Sequence, residues 1–214
     1  FVLFPVLFSM GMRGTTASHA ALIFATLPLF TGLFASLLER RLPGRGWWLG
    51  VAIAFAGEFL LIHFRVGFQG GENTLTGDML ILAACLVSSL SYVAGGKLAQ
   101  TYSPWGTTFW GLTFAGIMLL PALGMLGWEA PWGEVDFAGW VSILYLAIVS
   151  SILSYLAWFW ALARGGIARV GVMQYLLPVA TFVFAAIVLD EILTLPLFLS
   201  TAVILGGVYL AQRD

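Results

Sequence analysis

The chain is 214 residues long, 61% hydrophobic and only 9% charged, with a formal net charge of -1 and a mean hydropathy of +1.00. A soluble domain carries about 25% charged and about 45–50% apolar residues, so a water-soluble globule is excluded and lipid must solvate much of this surface. There is no basic patch to suggest nucleic acid, and a lone Cys85 in an apolar segment leaves no disulfide framework within one chain.

A spanning helix needs about 20 mainly apolar residues. The pattern predicts a partial helix at 1–12 and spans near 15–38, 46–64, 77–97, 105–127, 138–163, 167–189 and 193–211. Gly, Pro and charge mark the breaks at Arg13-Gly14, Pro43-Gly44-Arg45, Gly70-Gly71-Glu72-Asn73, Ser103-Pro104 and Arg164-Gly165-Gly166. Trp47, Trp48, Trp105, Trp128, Trp132 and Trp140 fall near span ends, as an interfacial belt would. No signal peptide is visible. The chain opens inside a hydrophobic run at Phe1 without Met, so about two helices and part of a third are expected upstream.

In the first full span, Thr15, His19, Leu22 and Thr26 share one helix face. His19 is the leading substrate group, because imidazole hydrogen-bonds carboxylates and titrates near neutral pH. Thr15 joins it on the same face. The competing role for His19 is a structural bond to a backbone carbonyl. Pro28 frees a carbonyl in the preceding turn and is a hinge or kink candidate. Glu58 is the one acid well inside a predicted span and is the candidate coupling residue. It lies toward the outer end of its helix, where snorkelling is the alternative.

The stretch 65–76 is the longest clearly polar link. Beyond it, Ser88, Ser91 and Tyr92 cluster one turn after Cys85, and Ser88 and Tyr92 are expected to line a substrate path. Ser151, Ser154, Tyr155 and Trp158 form a third cluster. Tyr155 and Trp158 would present an aromatic wall with a hydroxyl, suited to a solute with an apolar side chain. Helix packing is the competing role for the small serines. Gln174 lies one turn before Pro178 and is a substrate-binding candidate, since a buried amide needs partners. Pro178 repeats the kink device. Gly111-xxx-Ala115 and Ala202-xxx-Gly206 read as helix-packing faces.

Residues 28–60 return as 178–210. Pro28, Thr31, Phe34, Ala35, Leu49, Ala52, Gly57 and Leu60 recur 150 positions later as Pro178, Thr181, Phe184, Ala185, Leu199, Ala202, Gly207 and Leu210. The hinge inside the first copy holds Arg40, Arg41 and Arg45, and the hinge inside the second holds Asp190 and Glu191. With the C-terminus in the cytoplasm, Arg40, Arg41, Arg45, Lys97, Arg164, Arg169 and Arg213 fall inside, and of the 9 cationic residues only Arg13 and Arg65 fall outside. Two five-helix repeats of opposite orientation account for both observations. The expected organisation is helices 3–5 of the first repeat at 1–64, a link at 65–76, and helices 6–10 of the second repeat at 77–212.

The run from Pro178 to Asp190-Glu191, followed by a span containing Gly206-Gly207, resembles the drug/metabolite transporter superfamily, EamA type. In that pattern a Pro in the fourth helix of a repeat precedes a Glu at the helix end by thirteen residues, and a glycine-containing fifth helix follows. The first copy keeps Pro28 and Gly57 but has Arg41 at the Glu position, with Glu39 two residues earlier. The resemblance covers nearly the whole chain and is nearest to YddG-like bacterial exporters of aromatic and other amino acids. It implies an all-α polytopic membrane protein of ten helices built as two inverted repeats.

The function expected is export of small metabolites, foremost amino acids with aromatic or other apolar side chains, across the bacterial inner membrane by alternating access. The alternatives are a carrier of another solute class, such as a drug-like cation, a sugar or a nucleotide-sugar, or a non-transporting scaffold or receptor. No G-x-S-x-G, H-E-x-x-H or paired intramembrane carboxylates are present, so an enzyme is not expected. No cofactor or metal is expected. The partners would be the solute and the lipid bilayer, with the monomer as the working unit.

Overall fold

The computed structural model describes residues 2–15, 17–40, 42–65, 75–126, 132–177, 179–180 and 195–213. Among these residues there is no strand, and the chain is helical almost throughout. Pro178, Arg41, Trp128, most of the 65–76 link and the Asp190-Glu191 hinge lie outside the described residues.

The helices are α1 (Leu3–Gly11), α2 (Ala17–Phe24), α3 (Leu27–Glu39), α4 (Arg45–Arg65), α5 (Leu75–Thr101), α6 (Pro104–Leu126), α7 (Phe137–Tyr145), α8 (Ser154–Gly165), α9 (Ile167–Gly171) and α10 (Leu195–Gln212). A π-helical segment, Leu146–Leu153, joins α7 to α8, and a 3-10 turn, Val172–Tyr175, continues α9. Among the described residues, three stretches are long and apolar enough to cross a membrane: Leu75–Thr101, Pro104–Met125 and Phe137–Gly165.

Local chemistry sets the helix ends. The Arg40 N–H closes α3 on the Leu37 and Ser36 carbonyls from a left-handed backbone, φ 52°. Ser103 caps α6 by accepting a bond from Gly106 N at 3.1 Å, with Pro104 in the first helical position, where its missing N–H costs nothing. Asp136 caps α7 through Gly139 N at 2.8 Å. Gly166 links α8 to α9 at φ +84°, a conformation open to glycine at little steric cost.

The span expected at 15–38 is two helices rather than one. It breaks at Ala25–Thr26, because Pro28 has no N–H to give and its ring excludes an unbroken turn before it. The 3-10 turn Val172–Tyr175 loosens the second copy in the turn before Pro178.

The contacts divide the chain into two compact units, Ala94–Gly165, and Leu3–Val93 with Gly166–Asp214. In the second of these, α4 and α10 pack against each other most extensively. Their contact is built on glycine. A methyl group added at Gly50 would stand 2.4 Å from Ala211 N and 2.5 Å from Gly207 O, and one at Gly57 would stand 2.8 Å from Ile204 N. As numbers rise along α4, the partners fall along α10, so the two helices are antiparallel. The face expected at Ala202-xxx-Gly206 is not the one used. Both residues are exposed, and a methyl at Gly206 would meet nothing within 4 Å.

Around this pair lies a core of Trp47, Val51, Ala54, Leu61, Val172, Tyr175, Ile204, Val208 and Ala211. Trp47 departs from the interfacial role expected of it. It is buried, its ring fills the space over Gly32, and its Nε1 donates to Ala168 O at 3.4 Å. Trp48, Trp105, Trp132 and Trp140 are exposed.

In the other unit, α6 packs on α8 and on the π-helical segment. The end of α5 meets α8 at Gly95, where a methyl would stand 2.2 Å from Phe159 Cε1. The outer faces carry exposed Phe109, Trp110, Phe114, Ile117 and Met118, an apolar surface suited to hydrocarbon.

Candidate functional site

The break before Pro28 exposes backbone carbonyls, and α5 docks onto them. Ile23 O accepts from Thr26 Oγ1 at 2.5 Å and from Cys85 Sγ at 3.7 Å. Leu27 O accepts from Thr31 Oγ1 at 2.9 Å and from Ser89 Oγ at 3.1 Å. Ser89 is fully buried and was not among the residues singled out by sequence; the legible signal is its spacing of four from Cys85, a small-xxx-small pair. Pro28 thus stands at the start of α3, just after two carbonyls, Ile23 O and Leu27 O, that accept bonds from α5.

Thr15 donates its hydroxyl to the carboxylate of Asp78 at the start of α5. Beside that bond, a methyl on Gly77 would stand 2.4 Å from the Gly14 carbonyl, so the two backbones touch. His19 sits in α2, and its side chain is outside the described residues. Ser88 and Tyr92, one turn apart on α5, share a side-chain hydrogen bond, with Cys85 on the same face. Ser91 turns to solvent or lipid and donates to Val87 O at 2.8 Å.

Gln174 and Tyr175 sit on the 3-10 turn. Gln174 is half-buried with its Nε2 lacking a hydrogen-bond partner among the described residues, and Tyr175 is fully buried with its hydroxyl in the same condition. On α4, Glu58 has a buried Oε2, also without a partner among the described residues. A snorkelling carboxylate would place that atom in water.

Tyr155 and Trp158 belong to the other unit, on α8. Both are half-buried, and the Tyr155 ring stacks on Phe159 at 6.0 Å between centroids. Upstream, the Ser151 and Ser154 hydroxyls donate to Leu146 O at 3.0 Å and Val149 O at 2.8 Å, five residues back in each case. Those bonds occupy the serines within the π-helical backbone. No group of three or more His, Cys, Asp or Glu placed to hold a metal occurs among the described residues.

The arrangement offers short polar groups on helices, an aromatic surface, and a proline break covered by a neighbouring helix. Residues 1–63 and 75–212 match the EamA-like transporter family. The chain belongs to that family. With three membrane-length apolar helices among the described residues, it is a multi-pass membrane protein.

Among its EamA-like relatives, the uncharacterized transporter YdeK of Bacillus subtilis is 30% identical over 188 residues, covering 88% of this chain and 64% of that protein. An uncharacterized transporter of Archaeoglobus fulgidus is 27% identical, covering 94% and 68%. A probable amino-acid metabolite efflux pump of Salmonella typhimurium is 29% identical over 216 residues, covering 97% and 71%. The chain spans about two thirds of the length of these relatives. A protein of known crystal structure shares the fold with a TM-score of 0.82 at 20% identity, covering 98% of this chain and 72% of its own.

Proposed function

We propose that the full-length protein exports amino acids with aromatic or other apolar side chains across a bacterial inner membrane. It works by alternating access between two inverted five-helix repeats, with the C-terminus in the cytoplasm. The carrying observation is the α4–α10 contact. Shifting residue numbers by 150 turns the Gly57–Ile204 approach into the Gly207–Ala54 approach, and both are close backbone contacts. A contact that maps onto itself is isologous, as a two-fold axis requires. Since the helices are antiparallel, that axis runs across them and so lies in the membrane plane, as in carriers built from inverted repeats.

Other features support the finer parts. Antiparallel packing brings Arg45, which opens α4, and Arg213, which follows α10, to one end of the pair, the end that the positive-inside rule assigns to the cytoplasm. In one unit the rings of Tyr155 and Trp158 are of the kind that apolar side chains prefer; in the other, Thr15, His19, Ser88, Tyr92 and Gln174 are of the kind that bind polar groups. The name of the Salmonella relative points to the same solute class.

The test is efflux from liposomes holding the full-length protein and preloaded with radiolabelled phenylalanine, leucine and a broader amino-acid panel. Efflux should exceed that of empty liposomes, and His19→Ala and Trp158→Ala should slow it at least about tenfold, the effect of losing about 1.4 kcal/mol of binding. Flux equal to empty liposomes across the panel would refute the amino-acid reading, and release of a sugar or a drug-like cation instead would reassign the solute. Parental rates in both variants would refute the site.

A further inference from the structure

Three buried polar atoms, Glu58 Oε2, Tyr175 Oη and Thr201 Oγ1, have no hydrogen-bond partner among the described residues, and helix geometry puts them on one side of the α4–α10 pair. Their placement follows from helix geometry. Trp47, Val51, Ala54 and Leu61 mark one buried stripe along α4, and Glu58 occupies the position between Ala54 and Leu61 on that stripe. Ile204, Val208 and Ala211 mark the facing stripe on α10, and Thr201 continues it one turn earlier. Tyr175 closes the same core from the 3-10 turn, near enough for Glu58 to act on its phenol electrostatically.

Gly57 lies level with Ile204, so Glu58 and Thr201 differ in height by only about 3 Å at 1.5 Å per residue. Gln174 is left out of the group, since neighbouring residues of a three-residue turn point apart.

Among the described residues, no fixed positive charge stands beside Glu58. Of the described elements, α10, the 3-10 turn and α2 pack on α4, and α3 and α9 also meet it at Trp47, three turns from Glu58. Their titratable residues are the largely exposed Tyr209 on α10, Tyr175 on the turn, Glu39 at the far end of α3, Arg169 on α9, and His19 on α2, whose side chain is outside the described residues. The one Lys or Arg on these elements among the described residues is Arg169 on α9, which meets α4 at Trp47, about 16 Å along the helix from Glu58 at 1.5 Å per residue. On α4 itself, Arg45 and Arg65 stand at the two ends and His63 is exposed, more than a turn away. A carboxylate in such a place is strongly disfavoured until something cancels its charge.

We propose that Glu58, with the hydroxyls of Tyr175 and Thr201, binds one exchangeable monovalent cation, a proton or a sodium ion, whose gradient drives export. Carboxylate and hydroxyl oxygens are ligands for either. The symmetry-related positions are Val208, Ala25 and Val51, so the second repeat has no copy of the site and the coupling is one cation per cycle.

This inference rests on the transport reading, and the experiment separates the two. Full-length protein in liposomes is assayed first for exchange of an amino acid at equal concentrations on both sides, then for uphill accumulation under an imposed proton or sodium gradient. The parent should accumulate solute several-fold under one of the two gradients. Glu58→Gln should keep exchange and lose accumulation. Tyr175→Phe, which removes only the hydroxyl, should shift the half-saturating proton or sodium concentration about tenfold, as loss of a hydrogen bond to a charged group would. It also keeps the test decisive if Glu58→Gln does not fold. Accumulation by Glu58→Gln equal to the parent, an unshifted Tyr175→Phe, or parental exchange indifferent to both gradients each overturns the cation site. Absence of any exchange refutes the transport reading itself.

Discussion

Replacing Gly207 by alanine should force α4 and α10 apart. The new methyl carbon would stand 2.4 Å from Ala54 N, 2.6 Å from Gly50 O and 2.8 Å from Ala54 Cα. Carbon contacts settle near about 3.5 Å. All three obstacles are backbone atoms, so no side-chain rotation absorbs the overlap, and the helices must separate by about 1 Å. A gap of that size forfeits about a quarter to a half of each dispersion well along the seam. In lipid, where hydrophobic exclusion does not hold helices together, that packing is a main source of association.

The expected loss is about 1–3 kcal/mol, the range for overpacked interiors. Gly50→Ala meets backbone at the same separations, 2.4 Å from Ala211 N and 2.5 Å from Gly207 O, and should lose as much. One separation relieves both clashes, so the double variant should fall short of the sum by at least about 0.5 kcal/mol. Gly206→Ala is the control, because its methyl meets nothing within 4 Å, and it should stay within about 0.5 kcal/mol of the parent. Equilibrium unfolding of the full-length protein in mixed micelles, titrated with SDS, measures all four. Equal losses at positions 206 and 207, or strict additivity of the pair, would refute the reasoning.

Ser89→Ala removes the bond from α5 to Leu27 O, but Thr31 still satisfies that carbonyl. The same titration should therefore show a loss of about 0.5–1.5 kcal/mol, without the larger penalty of a stranded buried acceptor. Asp136→Ala removes the cap of α7 and should cost that helix about 0.5–2 kcal/mol. Hydrogen exchange followed by mass spectrometry should show faster exchange confined to the first turn of α7, with Asp136→Asn close to the parent.

The positions of the helices were legible because a run of apolar residues is itself what a bilayer demands. Run length does not register a missing N–H, so the stretch 15–38 reads as one span although Pro28 divides it at Ala25–Thr26. The seam between α4 and α10 was half legible. The 150-residue echo preserved Gly57 and Gly207, yet small residues also occur at Ala202 and Gly206, and only the partner helix selects the face. Polar side chains were harder still. Thr15 reads as a free hydroxyl on a helix face, but its acceptor, Asp78, is 63 residues away. Ser88 and Ser89 are adjacent, alike and both buried, and only their neighbours tell them apart: Ser88 bonds Tyr92 on its own helix, and Ser89 bonds the carbonyl of Leu27 on another. Tyr175 passes for an ordinary core aromatic until Glu58 is found beside it.

The π-helical segment Leu146–Leu153 gives the helix it interrupts a degree of freedom that a straight helix lacks. Its bonds reach back five residues rather than four, which stores slack of about one residue. An α-helix turns about 100° for each residue. Taking up that slack would swing α8 through about a quarter turn against α7, with neither helix unwound and the Ser151 and Ser154 hydroxyls moving from fifth to fourth carbonyls. Tyr155 and Trp158 lie immediately downstream. Such a one-residue step would turn both rings together by the same quarter turn.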